Sequence, residues 1–179
     1  FAGNGVAEAG NDVTLCEGQS TTLVATGGAT YQWSNGVNAA MNPVNPTSTT
    51  TYYVTAQGAC SGYDSVTVFV NPNPVITATS SVGNILMGQT VTLTASGGDT
   101  YQWSGNPFDG SLSGQSYSAS PTVQPVISTV YTVVGSSLNG CTGSASVTVI
   151  VTPVLPEVNF FGAPVSGCEP LIVQFYDST

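Results

Sequence analysis

Thr30-Tyr31-Gln32-Trp33-Ser34 recurs unchanged as Thr100-Tyr101-Gln102-Trp103-Ser104. Upstream, Gly18-Gln19 matches Gly88-Gln89, and Gly27-Gly28 matches Gly97-Gly98, all in one register. Downstream, Pro46 with Tyr52 matches Pro125 with Tyr131, and Ser65-Val66-Thr67-Val68 matches Ser146-Val147-Thr148-Val149. Collinear matches of this kind define an internal repeat, so the chain contains two copies of one structural unit. The second copy is longer, with extra residues around Gly105 to Ala119 and a slightly longer turn before Cys141.

Each copy divides into short apolar or alternating stretches. In the first these are Val13 to Cys16, Ser20 to Thr26, Thr30 to Ser34, Thr51 to Ala56 and Ser65 to Val70. Gly-Gly, Asn35-Gly36 and Pro-rich breaks lie between them, which is hairpin and turn chemistry. Alternation places Leu23 and Ala25 inward on one strand, Tyr31 and Trp33 on the next, Tyr52 and Val54 on another, and Val66, Val68 and Val70 on the last. The second copy repeats the plan with Leu93, Ala95, Tyr101, Trp103, Tyr131, Val133, Val147, Val149 and Val151. No window has helical periodicity. A Trp on a central strand facing a Tyr-bearing strand is the core plan of an immunoglobulin-like sandwich. The expected fold class is therefore all-β, with tandem immunoglobulin-like β-sandwiches whose core includes Trp33, Tyr52, Trp103 and Tyr131.

Boundaries fall at proline. Asn71-Pro72-Asn73-Pro74 separates the copies and Thr152-Pro153-Val154-Leu155-Pro156 closes the second. Residues 1–11 read as a linker or the end of a preceding module, 12–72 as the first unit, 73–153 as the second with its insertion near 105–119, and 154–179 as the opening of a third β-domain. The chain is expected to be part of something longer. Short Pro-containing linkers are stiff and extended, so the units are expected end to end as a rod.

The 179 residues include nine Asp or Glu and no Lys, Arg or His. Phosphate neutralisation requires cationic side chains, so nucleic-acid binding is excluded as a role for this stretch, as is attraction to an anionic membrane surface. No run approaches the roughly 18–20 apolar residues of a membrane span, so no direct membrane insertion is expected. Without His there is no Ser/His or Cys/His nucleophilic pair, and without Lys no Schiff base or phosphate loop. Paired carboxylates for acid–base work remain formally possible, for example Asp99 with Asp109, but nine acids on loops make such a pair expected by chance. Asp99, Asp109 and Asp177 suit turn formation, with structural calcium as the alternative use; no other cofactor is expected. The chain reads as no enzyme.

Four cysteines in a Thr- and Ser-rich chain suggest an oxidising compartment. Cys16 ends the first strand of the first unit and Cys60 sits in the turn before its last, so a Cys16–Cys60 disulfide is expected. The second unit keeps a turn cysteine, Cys141, but has Leu86 in place of the first. Cys141 is left as a buried free thiol, a bridge to Cys168 across the next joint, or a partner outside the segment. The insertion, with Phe108, Leu112 and Tyr117 among Gly and Ser, is either padding or a grafted binding surface.

Cys-Glu-Gly-Gln-Ser at 16–20, the Gly-Gly-x-x-Tyr-x-Trp-Ser stretch, Pro-x-x-Ser-Thr-Thr-Tyr at 46–52 and the closing Val-Thr-Val-x-Val-x-Pro resemble the tandem Ig-like repeats of Bacteroidota surface proteins. Such repeats occur in giant adhesins secreted by the type IX system, including the SprB-type adhesins of gliding bacteria. The tail from Gly167 to Ser178 resembles the first strands of a PKD domain. Asp64-Ser65-Val66 resembles that phylum's O-glycosylation acceptor, with Ser65 as the acceptor. The resemblance implies an extracellular stalk segment that spaces an adhesive region from the outer membrane and bears tension in attachment or gliding. Its partners would be neighbouring Ig-like and PKD modules, with surface polysaccharide or gliding machinery reached through other parts of the chain. The alternative is an accessory module of a secreted polysaccharide-degrading enzyme. Leu86 departs from the paired-cysteine pattern, which leaves the second unit's disulfide in question.

Overall fold

The computed structural model describes residues 6–58, 60–154, 160–163 and 173–177. Six strands form the first unit: β1 (Val13–Cys16), β2 (Thr21–Val24), β3 (Thr30–Trp33), β4 (Met41–Val44), β5 (Thr50–Gln57) and β6 (Gly62–Asn71). One sheet has the order β1-β6-β5-β3, with β1 parallel to β6 and the other pairs antiparallel; β2 and β4 form the facing sheet. The second unit holds β7 (Thr77–Ser80), β8 (Asn84–Leu86), β9 (Val91–Ser96), β10 (Thr100–Asn106), β11 (Thr122–Val123), β12 (Thr129–Ser136) and β13 (Thr142–Thr152). Its sheets run β10-β12-β13-β8 and β11-β9-β7, the same plan with the parallel pair again at one edge. The chain is all-β, two immunoglobulin-like sandwiches in sequence. Beyond them β14 (Phe160–Ala163) pairs antiparallel with β15 (Gln174–Asp177).

Each sandwich has its own core, built from alternate residues of facing strands. Trp33 and Tyr52 lie in the first, with Leu23, Ala25, Val54, Val66 and Val68; Trp103 and Tyr131 lie in the second, with Leu93, Val133 and Val149. Tyr31 and Tyr101 are only half-buried. Each turns its hydroxyl onto the Gly-Gly corner, accepting from the amide of Gly28 or Gly98 and donating to that residue's carbonyl. The indole N–H of Trp33 donates to the Ala39 carbonyl and that of Trp103 to the Ser118 carbonyl, so neither buried donor is left unpaired.

Two elements escaped the sequence pattern. Strand β4 contains Pro43, which has no N–H and demotes a run to an edge; here it pairs opposite Thr22 on β2. Its Asn42 is fully buried, a polar residue at a position that alternation assigns to the core, and its amide exchanges two hydrogen bonds with that of Asn35. The first unit also begins earlier than residue 12: Ala7 and Ala9 are buried, and Glu8 bridges to Thr26 as Thr77 does to Ser96 in the second unit. The Val6–Ala9 segment is too short and too small in its side chains to read as a strand alone.

Gly27 and Gly97 explain why the Gly-Gly corner recurs. Their φ angles are +90° and +94°, and a Cβ at either would lie 2.0 Å from the carbonyl oxygen of Val6 or Val75. Only glycine accommodates both the left-handed backbone and the close crossing. Gly36 has a similar φ of +91° but open space around it. Gly27→Ala and Gly97→Ala should each destabilise their own unit by clearly more than about 1 kcal/mol in chemical denaturation, whereas Gly36→Ala should cost about 1 kcal/mol. Equal losses at all three positions would show that the crossing adds nothing.

Candidate functional site at the joint between modules

The joint begins at the end of β1. Cys16 lies opposite Asn71, the last residue of β6, and the turn Glu17-Gly18-Gln19 follows. The Glu17 amide donates to the Asn71 carbonyl, and the Asn73 side-chain amide donates to the Glu17 carbonyl, tying the turn to the linker. Leu86 occupies the matching place in the second unit: the amides of Cys16 and Leu86 each donate a hydrogen bond to the side-chain carbonyl of the glutamine three residues on, Gln19 or Gln89.

Cys16 is disulfide-bonded to Cys141, with a Cα–Cα distance of 5.5 Å. The expected Cys16–Cys60 pairing is therefore corrected, and the reason is length. Cys60 precedes β6 and Cys16 lies beside its end. Ten residues of strand at about 3.3 Å each put them about 30 Å apart, whereas a disulfide requires Cα atoms within about 7 Å. Cys141, in the turn between β12 and β13, faces back to the first unit, so it is neither a free thiol nor, in this structure, a partner of Cys168. Cys60 is an exposed free thiol. Cys168 lies outside the described residues.

The linker packs where the disulfide closes. Cys141 is fully buried, and its Sγ lies 4.0 Å from the Asn71 carbonyl oxygen. A Cβ on Gly143 would fall 2.1 Å from the Pro74 carbonyl oxygen, so strand β13 meets the linker backbone at contact distance. Ile76 then enters the second core. The joint is thus a covalent bond, two hydrogen bonds and a backbone crossing. A shallow hollow of about 270 Å3 lies beside it, walled by Glu17, Gln19, Asn73 and Thr142 among others.

The insertion of the second unit is anchored on its own core. A 3-10 turn, Gly110–Leu112, is capped by Asp109, which accepts from the Ser111 amide at 2.9 Å. Leu112 is buried in the core, while Phe108 and Tyr117 are 91% and 75% exposed. Asp109 also accepts from the hydroxyls of Ser111 and Tyr131, and Gln115 clasps the backbone of Thr122. A hollow of about 400 Å3 runs between Trp103, Phe108, Asp109 and Leu112. Burial raises the Asp109 carboxyl, but the hydrogen bonds from Ser111 and Tyr131 outweigh it and hold the group below the ordinary aspartate value. Burial first, then Asp109, pushes the Tyr131 hydroxyl up.

The remaining acids form turns and seams. Asp99 accepts from the Leu138 amide. Asp64 accepts from the Ala9 amide and is held below its ordinary value by that bond and by the Ser65 amide. Ser65 itself is exposed on β6, and Asp177 closes β15. Asp99 bonds near the joint-side turn and Asp109 within the insertion, so the structure does not present them as a working pair. Among the described residues no three Cys, Asp or Glu side chains converge as metal ligands, and no helix is long and apolar enough to cross a membrane.

No protein-family model matches this chain, and no curated protein matches it. Among solved structures, 97 chains match. The N-terminal eight Ig domains of Down syndrome cell adhesion molecule, isoform 1.30.30, superpose with a TM-score of 0.57 at 16% identity, covering 88% of this chain and 24% of that one. Murine CEACAM1b gives 0.38 at 12% identity, covering 79% and 96%. The fibronectin(III)-like modules of Clostridium thermocellum CbhA give 0.36 at 11%, covering 80% and 90%. The chain spans about a quarter of the first of these, and at this identity the likeness speaks for the immunoglobulin-like fold.

Two outcomes check the site. In a non-reduced digest by an aromatic- or acid-directed protease, since trypsin has no site here, the Cys16 and Cys141 peptides should appear joined and Cys60 should alkylate without reduction. Asp109→Asn should lower the second unit's stability by about 1–3 kcal/mol at neutral pH, because it removes a charged acceptor from buried donors. The folded Asp109 value lies below the unfolded one, so its stabilisation is full above the usual carboxylate value of about 4 and is lost as pH falls through the folded value. For Tyr131 the sign reverses at the other end: stability falls as pH rises above about 10, where the unfolded phenol ionises and the folded one does not. An unchanged acid-side profile in Asp109→Asn would refute the Asp109 part.

Proposed function

We propose that this chain is a load-bearing stretch of an extracellular stalk, made of two Ig-like modules divided at the Asn71–Pro74 linker and followed by the start of a third, PKD-like module. The route that tension takes through the joint carries the reading. A pull on the two ends of the chain enters β1, crosses the Cys16–Cys141 disulfide and leaves along β13. The segment between the two cysteines, which holds most of both cores, lies off that route. Strong S–S and backbone bonds carry the load, and the strands between the two cysteines hang from it with the hydrogen bonds among them spared.

A spacer that works under drag gains from this arrangement, since the segment between the two cysteines does not lengthen before the covalent path breaks. The disulfide suits an oxidising, extracellular setting. The cation-free surface suits solubility and discourages self-association. Together with the motifs that resemble Bacteroidota repeats, these features support reading the chain as part of a large cell-surface adhesin of the type IX-secreted kind, used in attachment or gliding. Exposed Ser65, on an accessible strand face, fits a glycan attachment point in such a protein.

Single-molecule stretching from the two ends tests the load path. Oxidised protein should release a contour length shorter than reduced protein by about 450 Å, the length of the chain between cysteines 125 residues apart at about 3.6 Å per residue. Equal extension with and without reductant would remove the basis for the stalk reading.

A further inference from the structure

Cys60 and Cys141 occupy the same place in their modules. Each stands two residues before a glycine, Gly62 or Gly143, and those glycines pair with Ala56 and Gly135 at the same end of the same strand pair. Cys141 is occupied: its partner is the cysteine at the end of the first strand of the module before it. Cys60 is exposed and free. Its own module's Cys16 is about 30 Å away at the far end of β6 and already engaged. An accessible free thiol is a reactive liability in an oxidising compartment.

We infer that Cys60 is the docking point for a preceding module of the same type, joined by a disulfide from the end of that module's first strand, as Cys16 joins Cys141. The inference rests on the stalk reading and deepens it by naming the partner. A module of the first kind has a cysteine at each end, one reaching forward and one receiving from behind. Such a head-to-tail contact is heterologous, and repetition extends it into a continuous line rather than closing a ring. Leu86 gives the second module no forward cysteine, so the stapled series stops there and the joint to residues 160–177 has no equivalent bond from that position. The entry segment is also matched: Val6 and Val75 hold the same crossing against Gly27 and Gly97, so Val6 accepts the linker that Val75 accepts.

The test joins a second copy of residues 6–74 directly to Val6 of the full chain. The added copy carries Thr14→Ser as a mass tag and Cys60→Ser to remove its own receiving thiol. After air oxidation and peptic digestion, the tagged Cys16 peptide should be linked to the Cys60 peptide, and alkylation of Cys60 should fall at least tenfold relative to the parent chain. A companion in which the added copy's Cys16 is also changed to Ser should restore full alkylation. The native Cys16–Cys141 link is read in the same digest. If it is present and the added copy melts cooperatively while Cys60 stays free, pairs with Cys168 or links two chains, the inference fails and the stalk reading stands. If the native link is itself absent, both fail.

Discussion

The ten residues of β6 set the distance between the two cysteines of the first module, and much of the architecture follows from that distance. A strand that crosses the whole sandwich puts its preceding turn at one end and its final residue at the other. Cysteines at those two places cannot meet, but each can meet a neighbour. The joint then concentrates Cys16, Cys141, the Asn73–Glu17 hydrogen bond and the Gly143–Pro74 crossing within a few residues. The chain-entropy model gives a closed loop of this size about 5 kcal/mol of unfolded-state constraint. The bond lies between modules rather than within one, so it also fixes the first module to the second.

Stability within each module comes without opposite charges. No Lys, Arg or His is present, so no side-chain ion pair forms. Hydroxyl and amide groups take the seams instead. Thr51 pairs with Thr67, Thr77 with Ser96 and Thr132 with Ser146 across adjacent strands. Cross-strand pairs of this kind each contribute roughly 0.2–1 kcal/mol. Asn35 and Asn42 satisfy one another where a buried amide would otherwise be costly. Such contacts respond little to ionic strength, since they carry no net charge to be screened.

The insertion shows how the second module departs from the first without changing its plan. Tyr52 and Tyr131 occupy matching core positions, but only Tyr131 meets an acid from an added loop. Asp109 fastens that loop through Tyr131 and Ser111, and Leu112 pays into the core what an unanchored loop would leave in water. Phe108 and Tyr117 remain outside, so the loop is part structure and part exposed aromatic surface.

Repetition and period-two alternation made the fold legible from residues alone. Trp33, Trp103, Tyr52 and Tyr131 stand out because large side chains recur at spacings that share one strand face. Even the glycine corners announce themselves, since only a backbone need explains a repeated Gly-Gly. What alternation cannot read is an edge strand with a proline and a buried asparagine, as in β4, or a short alanine-lined entry as at Ala7 and Ala9. Cysteine pairing lay further out of reach, because it depends on which residues meet in space. Cys16 and Cys60 are near in sequence and far apart along β6, whereas Cys16 and Cys141 are far in sequence and adjacent across the joint. The residues determined two sandwiches in sequence; only the tertiary arrangement decided that a covalent bond runs from one to the next, because the length of one strand rules out the shorter loop.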